Sequence, residues 1–250
     1  MAEIVAFAPG GYRFARGPFQ YSMGVAAEPG FEIERVRFRN PVPLDESFSA
    51  IEAYLKSLDR PLAAFCACEL RSPAQLTGEG FTEFNRRYVV TLERWGVYRD
   101  GVNPVARSNV CPEVDPPREP GFHAFSYTVP VRPGAVPSFV IAGAGEAREG
   151  EGSFNERIVR FGDTSPAGLR EKARCVLEAM ERRMQWLGFN WHDVTATQAY
   201  TVFDLYPFLA DEIAARDAMR GGLTWHYARP PVQGLDYEMD VRGVAREIVV

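Results

Sequence analysis

An arginine lies at the centre of the segment NPVARSNV, residues 103–110, between small and apolar residues. The apolar neighbours predict that this segment is half buried, and an unpaired guanidinium is costly to bury. Arg107 therefore needs a partner. The partner could be an internal carboxylate such as Glu113 or Asp240, the C-terminus of a helix, or an acidic ligand.

Two of the three histidines lie in apolar surroundings: His123 in FHAFSYTV and His226 in TWHY. Either side chain could form a polar wall of a ligand cleft, although a hydrogen-bonded histidine within the core is the more common case. The third histidine, His192 in NWHD, is predicted to lie in a turn.

Other motifs argue against metal and nucleotide sites. The chain has no H-x-x-x-H motif, no Cys/His cluster and no carboxylate triad, so we predict no metal site. The cysteines Cys66, Cys68, Cys111 and Cys175 show no C-x-x-C spacing, and we expect reduced, mostly buried thiols. The run GAGEAREGEG (143–152) is acidic and lacks G-x-G-x-x-G before a helix, so we expect a loop over a cleft and no phosphate site.

The composition is that of an ordinary globular protein. The 250 residues are 46% hydrophobic and 24% charged, which is enough for the core of one large domain or two small ones. The net charge is −5 and the basic residues are dispersed, so we expect no nucleic-acid partner, and an anionic ligand would need positive charge concentrated at its pocket. Without a signal-peptide pattern or an apolar stretch of roughly 18 to 20 residues, we expect a cytoplasmic protein with no membrane contact.

The stretch PVRPGAVP (130–137) predicts a linker near the midpoint, and thus two units, residues 1–130 and 131–250. Hydrophobic periodicity predicts the elements of the first unit. They are extended segments at 13–28 and 34–40, a helix at 45–58 with Asp45 as N-cap, a strand at 61–70, a helix at 78–96, and strands at 105–110 and 122–130.

The second unit repeats this order. Its clearest helix spans 165–188, where Ser165 can cap the start, Pro166 suits the first turn and Gly188 suits the end. The other elements are strands at 138–147, 193–202, 223–231 and 234–244 and a helix at 206–219. The pattern β-α-β-α-β-β therefore occurs twice, which favours a duplication and an α+β fold with helices on one face of each sheet.

Several of these segments resemble the reactive-intermediate deaminase (RidA, also YjgF) family. FTEFNRRYVVTL, with Asn85 and Tyr88, and VARSNV are similar to the family's F-x-x-[VF]-N-x-x-Y helix and P-A-R-S-x-V strand. LGFNWHDVTATQAYTV resembles the family's G-x-x-x-x-D-V step, and DYEMDVRGVA resembles its closing strand. The resemblance covers nearly the whole chain. It implies two tandem RidA/chorismate-mutase-like units, each a mixed β-sheet with two helices packed on one face, and a homotrimer with clefts between units.

The resemblance also implies a role for Arg107. The arginine of the family's A-R-S motif holds the carboxylate of a 2-imino or 2-enamino acid during hydrolytic deamination, and a guanidinium forms two parallel hydrogen bonds to such a group. Ser22 in YSMG is similar to the family's S-G-Q serine, although Met23 replaces the glycine. Tyr12 is a candidate for the tyrosine that lies over the family's cleft.

The two units differ at the positions that form the site. In the second unit the arginine position falls near Leu223 or Thr224, and Arg229 follows later, so this unit lacks the usual carboxylate anchor. Its closing strand carries Glu238 and Asp240, whereas the corresponding strand of the first unit has no acid. We therefore expect the working site where a first unit meets a second. There, one of the two acids would shuttle protons because burial would raise its pKa, while a surface salt bridge is the alternative role.

Two classes of function follow. A hydrolytic deaminase must protonate its enamine, position a water and release ammonia, and it needs neither a metal nor an organic cofactor. The asymmetric fusion favours a dedicated catabolic substrate, and the resemblance suggests 2-aminomuconate from aminophenol ring cleavage, with Arg13, Arg16 or Arg229 holding its second carboxylate. The alternatives are a ligand-sensing protein that keeps the cleft without chemistry, and a chorismatase-like enzyme.

Overall fold

Two mixed β-sheets pack against each other in the computed structural model, which describes residues 2–148, 150–151, 153–244 and 246–250. The strands are β1 (Ile4–Phe7), β2 (Tyr12–Ala15), β3 (Gly24–Ala27), β4 (Phe31–Pro43), β5 (Phe65–Arg71), β6 (Ala106–Pro112), β7 (Gly121–Pro130), β8 (Phe139–Gly145), β9 (Ala196–Tyr200), β10 (Leu223–His226), β11 (Ala228–Arg229), β12 (Glu238–Gly243) and β13 (Arg246–Val249). The helices are α1 (Leu44–Ser57), α2 (Gly78–Arg94), α3 (Phe154–Arg157), α4 (Pro166–Leu187) and α5 (Tyr206–Phe208).

The two sheets contain the same four-strand arrangement. The seven-stranded sheet has the order β1-β2-β3-β8-β12-β9-β10, and the six-stranded sheet has the order β11-β6-β5-β7-β4-β13. In the series β4-β7-β5-β6 and in the series β8-β12-β9-β10, the first two pairs are antiparallel and the third pair is parallel. The two halves of the chain therefore share one strand order and one set of strand directions.

Each sheet also takes strands from the other half. The N-terminal strands β1 to β3 extend the second-half sheet, because β3 pairs with β8. Conversely, β11 pairs with β6 and β13 pairs with β4, so the end of the chain completes the first-half sheet. These exchanged strands tie the halves together, and the division into residues 1–130 and 131–250 stays a prediction.

The predicted helix at 165–188 is confirmed together with its caps. The hydroxyl of Ser165 accepts a hydrogen bond from the backbone N–H of Gly168 at 3.2 Å, and Pro166 opens α4. Gly188 ends the helix with φ 89°, a left-handed conformation that glycine adopts without steric cost. The local sequence alone therefore specifies where this helix begins and ends.

Two predictions about the other helices are wrong. Asp45 does not cap α1, because the helix begins at Leu44 with Pro43 in the capping position; Asp45 lies in the first turn, where its charge suits the helix dipole. The segment 206–219 is not one helix: α5 is followed by a π-helical turn at 209–213 and a 3₁₀ turn at 214–216. Asp217, with φ 63°, then ends the segment.

Helices cover the outer faces of both sheets, which confirms the predicted α+β fold. The apolar side of α4 packs on the second-half sheet through residues that include Val176, Met180, Met184 and Leu187. The helices α1 and α2 pack on the first-half sheet through residues that include Phe48, Ile51, Leu55, Tyr88 and Leu92. Among the described residues, no helix has both the length and the apolar character to cross a membrane.

Candidate active site

A cavity of about 850 Å³ lies between the two halves of the chain. The first half contributes the loop before β3, the start of α2 and the strand β6. The second half contributes the end of β8, the loop through α3, one side of α4 and the segment that leads into β12. Both halves are needed to form this cavity, as expected for a site where a first unit meets a second.

Arg107 of β6 lines the cavity and is almost fully buried, with 3% of its surface exposed. Its guanidinium carbon lies over the ring of Tyr88 at 4.8 Å and that of Tyr21 at 5.2 Å, with Phe81 and Phe84 both at 5.7 Å. Its Nη1 has no hydrogen-bond partner. Aromatic faces attract a cation but do not satisfy its N–H donors, so Nη1 of Arg107 is available to an acceptor that enters the cavity.

The internal carboxylates that could have paired with Arg107 are engaged elsewhere. Glu113 accepts from Nε and Nη2 of Arg229 at 2.9 and 3.2 Å. Asp240 accepts from Nε2 of Gln198 and from the hydroxyl of Tyr200, both at 2.8 Å. The acidic ligand is therefore the alternative that the geometry favours for Arg107.

Glu238, the first residue of β12, lines the same cavity and is 4% exposed. Burial raises the pKa of its carboxyl well above the usual range, and the negative charges of Asp240 and Glu146 raise it further. Arg107 and Arg183 act in the opposite direction, but with smaller effects on that pKa. A carboxyl held in its protonated form beside a cation can donate a proton to a bound anion.

Gly143 of β8 makes room for the Glu238 side chain. A Cβ at position 143 would overlap Oε1 of Glu238 and would lie 2.9 Å from Cβ and 3.1 Å from Cα of Ser108. The backbone of β8 thus closes directly over the acid, and only a glycine allows this approach.

Asp240 lies deeper between the sheets than Glu238. The two acids share one face of β12 because strand side chains alternate, yet Asp240 does not line the large cavity. It lines a space of about 10 Å³ that Arg107 also borders. Burial raises the pKa of the Asp240 carboxyl, and the charge of Glu69 adds to this effect.

Asp240 belongs to a polar network that links the facing sheets. Arg35 donates to Glu69 from Nε at 2.6 Å and from Nη2 at 2.9 Å. Nε2 of Gln198 reaches Glu69 at 3.3 Å and Asp240 at 2.8 Å, so it joins the two carboxylates across the sheets. This network accounts for the buried charges without a ligand.

The two predicted cleft histidines lie at this network and not at the large cavity. Nε2 of His226 lies 2.9 Å from Oε1 of Gln198, and the imidazole stacks on Tyr200 with ring centroids 4.9 Å apart. Burial and the charge of Arg71 lower the pKa of His226 to about 4 and that of His123 to about 3. Both histidines are therefore neutral at neutral pH.

Three other predicted substrate contacts also lie outside the cavity wall. The hydroxyl of Tyr12 donates to the carbonyl of Phe65 at 3.2 Å within the core. Ser22 is fully buried and bridges to β6, while the residues on either side of it line the cavity. Arg229 pairs with Glu113 near the surface.

Arginines of the second half also lie at the cavity, and the sequence pattern did not predict them there. Arg148, Arg157, Arg182 and Arg183 line the cavity with Arg107. Nη1 of Arg183 donates to the carbonyls of β8 at residues 142 and 143, at 3.0 and 3.3 Å. The sequence carries one signal for them, because two of these arginines border the apolar stripe of the predicted helix at 165–188.

The arginines proposed from the sequence for a second carboxylate have other partners. Arg13 donates to the carbonyls of Ala27 and Leu187, at 3.2 and 3.0 Å, and Arg16 pairs with Glu3 at 2.9 Å. Neither lines the cavity.

The described part of the chain contains no group of three or more His, Cys, Asp or Glu side chains that could hold a metal ion. The four cysteines are free thiols and three of them are buried, as predicted. Cys175 lies on the α4 wall of the cavity.

Two facing sheets with the same strand order, and a buried arginine and a buried acid in the cavity between them, form the candidate site of an α+β deaminase. More narrowly, the chain belongs to the family of the 2-aminomuconate deaminase CnbZ, which it matches over residues 4–248. It is 56% identical over 251 residues to the 2-amino-5-chloromuconate deaminase of Comamonas testosteroni, and the match covers 100% of both chains. The predicted family and the predicted deaminase activity are thereby confirmed.

Solved structures are similar to this chain at low sequence identity. A chorismatase is 11% identical with a TM-score of 0.52, and the match covers 92% of this chain and 79% of the chorismatase. The YjgF gene product of E. coli is 18% identical with a TM-score of 0.32, and the match covers 46% of this chain and 85% of that protein.

Proposed function

We propose that this protein catalyses the hydrolytic deamination of 2-aminomuconate, or of a chlorinated analogue such as 2-amino-5-chloromuconate, in the catabolism of aromatic compounds. The observation that carries this proposal is the buried Arg107, whose Nη1 lacks an acceptor, in the same cavity as Glu238, whose pKa is raised by burial. The 56% identical relative, a 2-amino-5-chloromuconate deaminase, supports the choice of substrate.

In this proposal Arg107 binds the carboxylate next to the amino-bearing carbon. The guanidinium supplies two parallel donors to a planar carboxylate, and the surrounding rings keep water away from this ion pair. A charge-assisted hydrogen bond is stronger in such a water-poor site than at the surface, because the local dielectric constant is low. Arg107 thereby fixes the reacting carbon within reach of Glu238.

Glu238 supplies the proton. It protonates the carbon chain of the enamine, which turns the C–N bond into an iminium. A water then adds to the iminium carbon and returns one of its protons to Glu238, which leaves a neutral carbinolamine. The carbinolamine hydroxyl passes its proton to the amino group, the C–N bond breaks, and ammonia leaves as the carbonyl of the 2-oxo acid forms. Asp240 acts through Glu238, since its charge helps to hold the pKa of that acid high.

Neither a metal nor an organic cofactor takes part in this scheme, because proton transfer and water addition supply all of the chemistry.

We also propose that the two halves arose by duplication, which their shared strand order supports. The resemblance to the RidA family further suggests a homotrimer that works in the cytoplasm. Light scattering on the purified protein tests the trimer, and a stable monomer would contradict it.

The decisive experiment is an ammonia-release assay with 2-aminomuconate and 2-amino-5-chloromuconate. We expect release from at least one compound, and a loss of kcat/KM by at least about 10²-fold in Arg107→Lys, because lysine keeps the charge but not the bidentate fork. Arg39→Lys is the matched control, since Arg39 is exposed on β4. If the wild-type protein binds these compounds without releasing ammonia, it is a binding protein and the proposed activity is wrong.

A further inference from the structure

Positive charge is concentrated at the cavity although the whole chain is acidic. Five arginines and two glutamates line the cavity, whereas the net charge of the chain is −5. One carboxylate needs one guanidinium fork. The excess of cations therefore points to a ligand with more than one negative group.

These arginines form two groups according to burial and position. Arg107 and Arg183 are buried, at 3% and 7% exposure, and lie near the acid Glu238. Arg148 and Arg182 are exposed and Arg157 is half buried, on the loop after β8 and on α4. The second group thus forms a separate wall toward the mouth of the cavity.

No carboxylate in the described part of the chain pairs with the guanidiniums of this wall, which belong to Arg148, Arg157 and Arg182. Arg157 lies over the ring of Phe154 at 5.6 Å, and its buried Nε has no hydrogen-bond partner. Arg182 lies over the ring of Trp186 at 6.0 Å. These aromatic contacts orient the side chains of Arg157 and Arg182 and leave Nε of Arg157 for another group.

The loop that carries two of these arginines is held in shape by its own hydrogen bonds. The backbone N–H of Arg148 donates to the carbonyl of Arg157 at 2.9 Å, and Nη1 of Arg157 returns to the carbonyl of Arg148 at 3.3 Å. A capping box between Ser153 and Glu156 fixes the start of α3. The loop therefore presents both guanidiniums from one braced backbone, which lowers the entropic cost of binding an anion.

We propose that Arg148, Arg157 and Arg182 bind the second carboxylate of the substrate, so that the enzyme selects dicarboxylic over monocarboxylic enamines. This inference rests on the proposed function for the identity of the reacting end, which Arg107 anchors. It replaces the arginines suggested by the sequence, which have other partners. Glu178 lies on the same wall, where its charge disfavours an anionic chain end that lacks a guanidinium partner.

Two unreactive probes test the subsite without relying on turnover. trans,trans-Muconate and sorbate are six-carbon dienes that differ in the second carboxylate, and their binding is measured by titration calorimetry. We expect the wild-type protein to prefer muconate. Arg157→Gln and Arg182→Gln should each weaken muconate binding by about 10- to 100-fold and leave sorbate binding unchanged, since each removes charge-assisted hydrogen bonds to one carboxylate.

Arg107→Gln should weaken the binding of both probes. Arg39→Gln, at an exposed position on β4, should leave the affinity for both probes unchanged. The inference is overturned if the wild-type protein binds muconate no more tightly than sorbate, or if both variants retain wild-type affinity for muconate. Equal losses for both probes would also overturn it, because they would indicate a general disturbance of the cavity. If the protein distinguishes the two probes as expected but releases no ammonia, the proposed subsite is supported and the proposed deaminase activity is wrong.

Discussion

Replacing Gly143 by alanine should impair catalysis without removing any functional group. Gly143 lies on β8, the strand that pairs with β12, and an added Cβ would overlap Oε1 of Glu238. The same Cβ would lie 3.1 Å from Cα of Ser108, which belongs to the backbone of β6 and is held by its strand pairing. The acid is the end of a flexible side chain, so we expect Glu238 to move and β6 to stay.

The expected loss of activity follows from the overlap between the added Cβ and Oε1 of Glu238. To regain van der Waals contact, Oε1 of Glu238 must move by about 1 Å. A displacement of that size at a reacting group costs about 10²-fold in rate, so we expect kcat to fall by about 10²-fold with a small change in KM. Overpacking should also lower the free energy of unfolding by about 1 to 3 kcal/mol.

A double-mutant cycle separates this route from general damage. Ammonia release is measured for Gly143→Ala, Glu238→Gln and the double variant, with stability followed by denaturant unfolding. If Gly143→Ala acts by displacing the acid, it should add little further loss of activity once Glu238 is already glutamine. If the activity losses of the two single variants multiply in the double variant, or if kcat is unchanged in Gly143→Ala, then Gly143→Ala does not act by displacing Glu238.

The remaining predictions concern titrating and buried charged groups. Glu238→Gln should lower kcat by about 10²- to 10⁴-fold and remove one limb of the pH–rate profile, because it removes the proton donor. Since the pKa of Glu238 is raised in the folded protein, its ionisation costs stability; the free energy of unfolding of the wild type should fall relative to Glu238→Gln as the pH rises above about 4.3. His226 has its pKa lowered to about 4, so the wild type should lose about 1 kcal/mol relative to His226→Gln as the pH falls from 7.5 to 5.5, in urea unfolding. Lys172→Met should lower the free energy of unfolding by about 3 to 5 kcal/mol, because it leaves the buried carboxylates of Glu146 and Asp236 without their cation.

Each of these expectations has an outcome that contradicts it. Near-native turnover and an unaltered pH profile in Glu238→Gln would move the proton transfer to another group. Parallel pH–stability curves for the wild type and His226→Gln would show that this imidazole titrates alike in the folded and unfolded chain. For Lys172→Met the control is Lys56→Met, which removes an exposed partner of Glu52 and should cost less than about 1 kcal/mol. Equal losses in the two lysine variants would mean that burial adds nothing to the ion pairs of Lys172.

Features encoded in contiguous residues were predictable. The helix α4 follows from a continuous apolar period with a serine at its start and a glycine after its end, because caps and periodicity depend on neighbours within a few residues. Arg107 was identified for the same reason, since its apolar flanks already implied a buried charge that needed a partner. The segment 206–219 shows the limit of periodicity: its pattern is helical, but π and 3₁₀ turns form there.

What the sequence by itself determined is therefore the α+β class, the family pattern and the need for a partner at Arg107. Only the tertiary structure decided that Glu238 and not Asp240 lines the large cavity, because two acids at i and i+2 on one strand face are equivalent until the opposite surface is known. Gly143 leaves room for Glu238 at the cavity, whereas Gln198 and Tyr200 already bind Asp240. The wall formed by Arg148, Arg157 and Arg182 could likewise not be predicted, because these arginines lie in an acidic loop and at the side of a helix. Its members meet Arg107 only when the two sheets pack, and such contacts between distant segments leave no local pattern in the sequence.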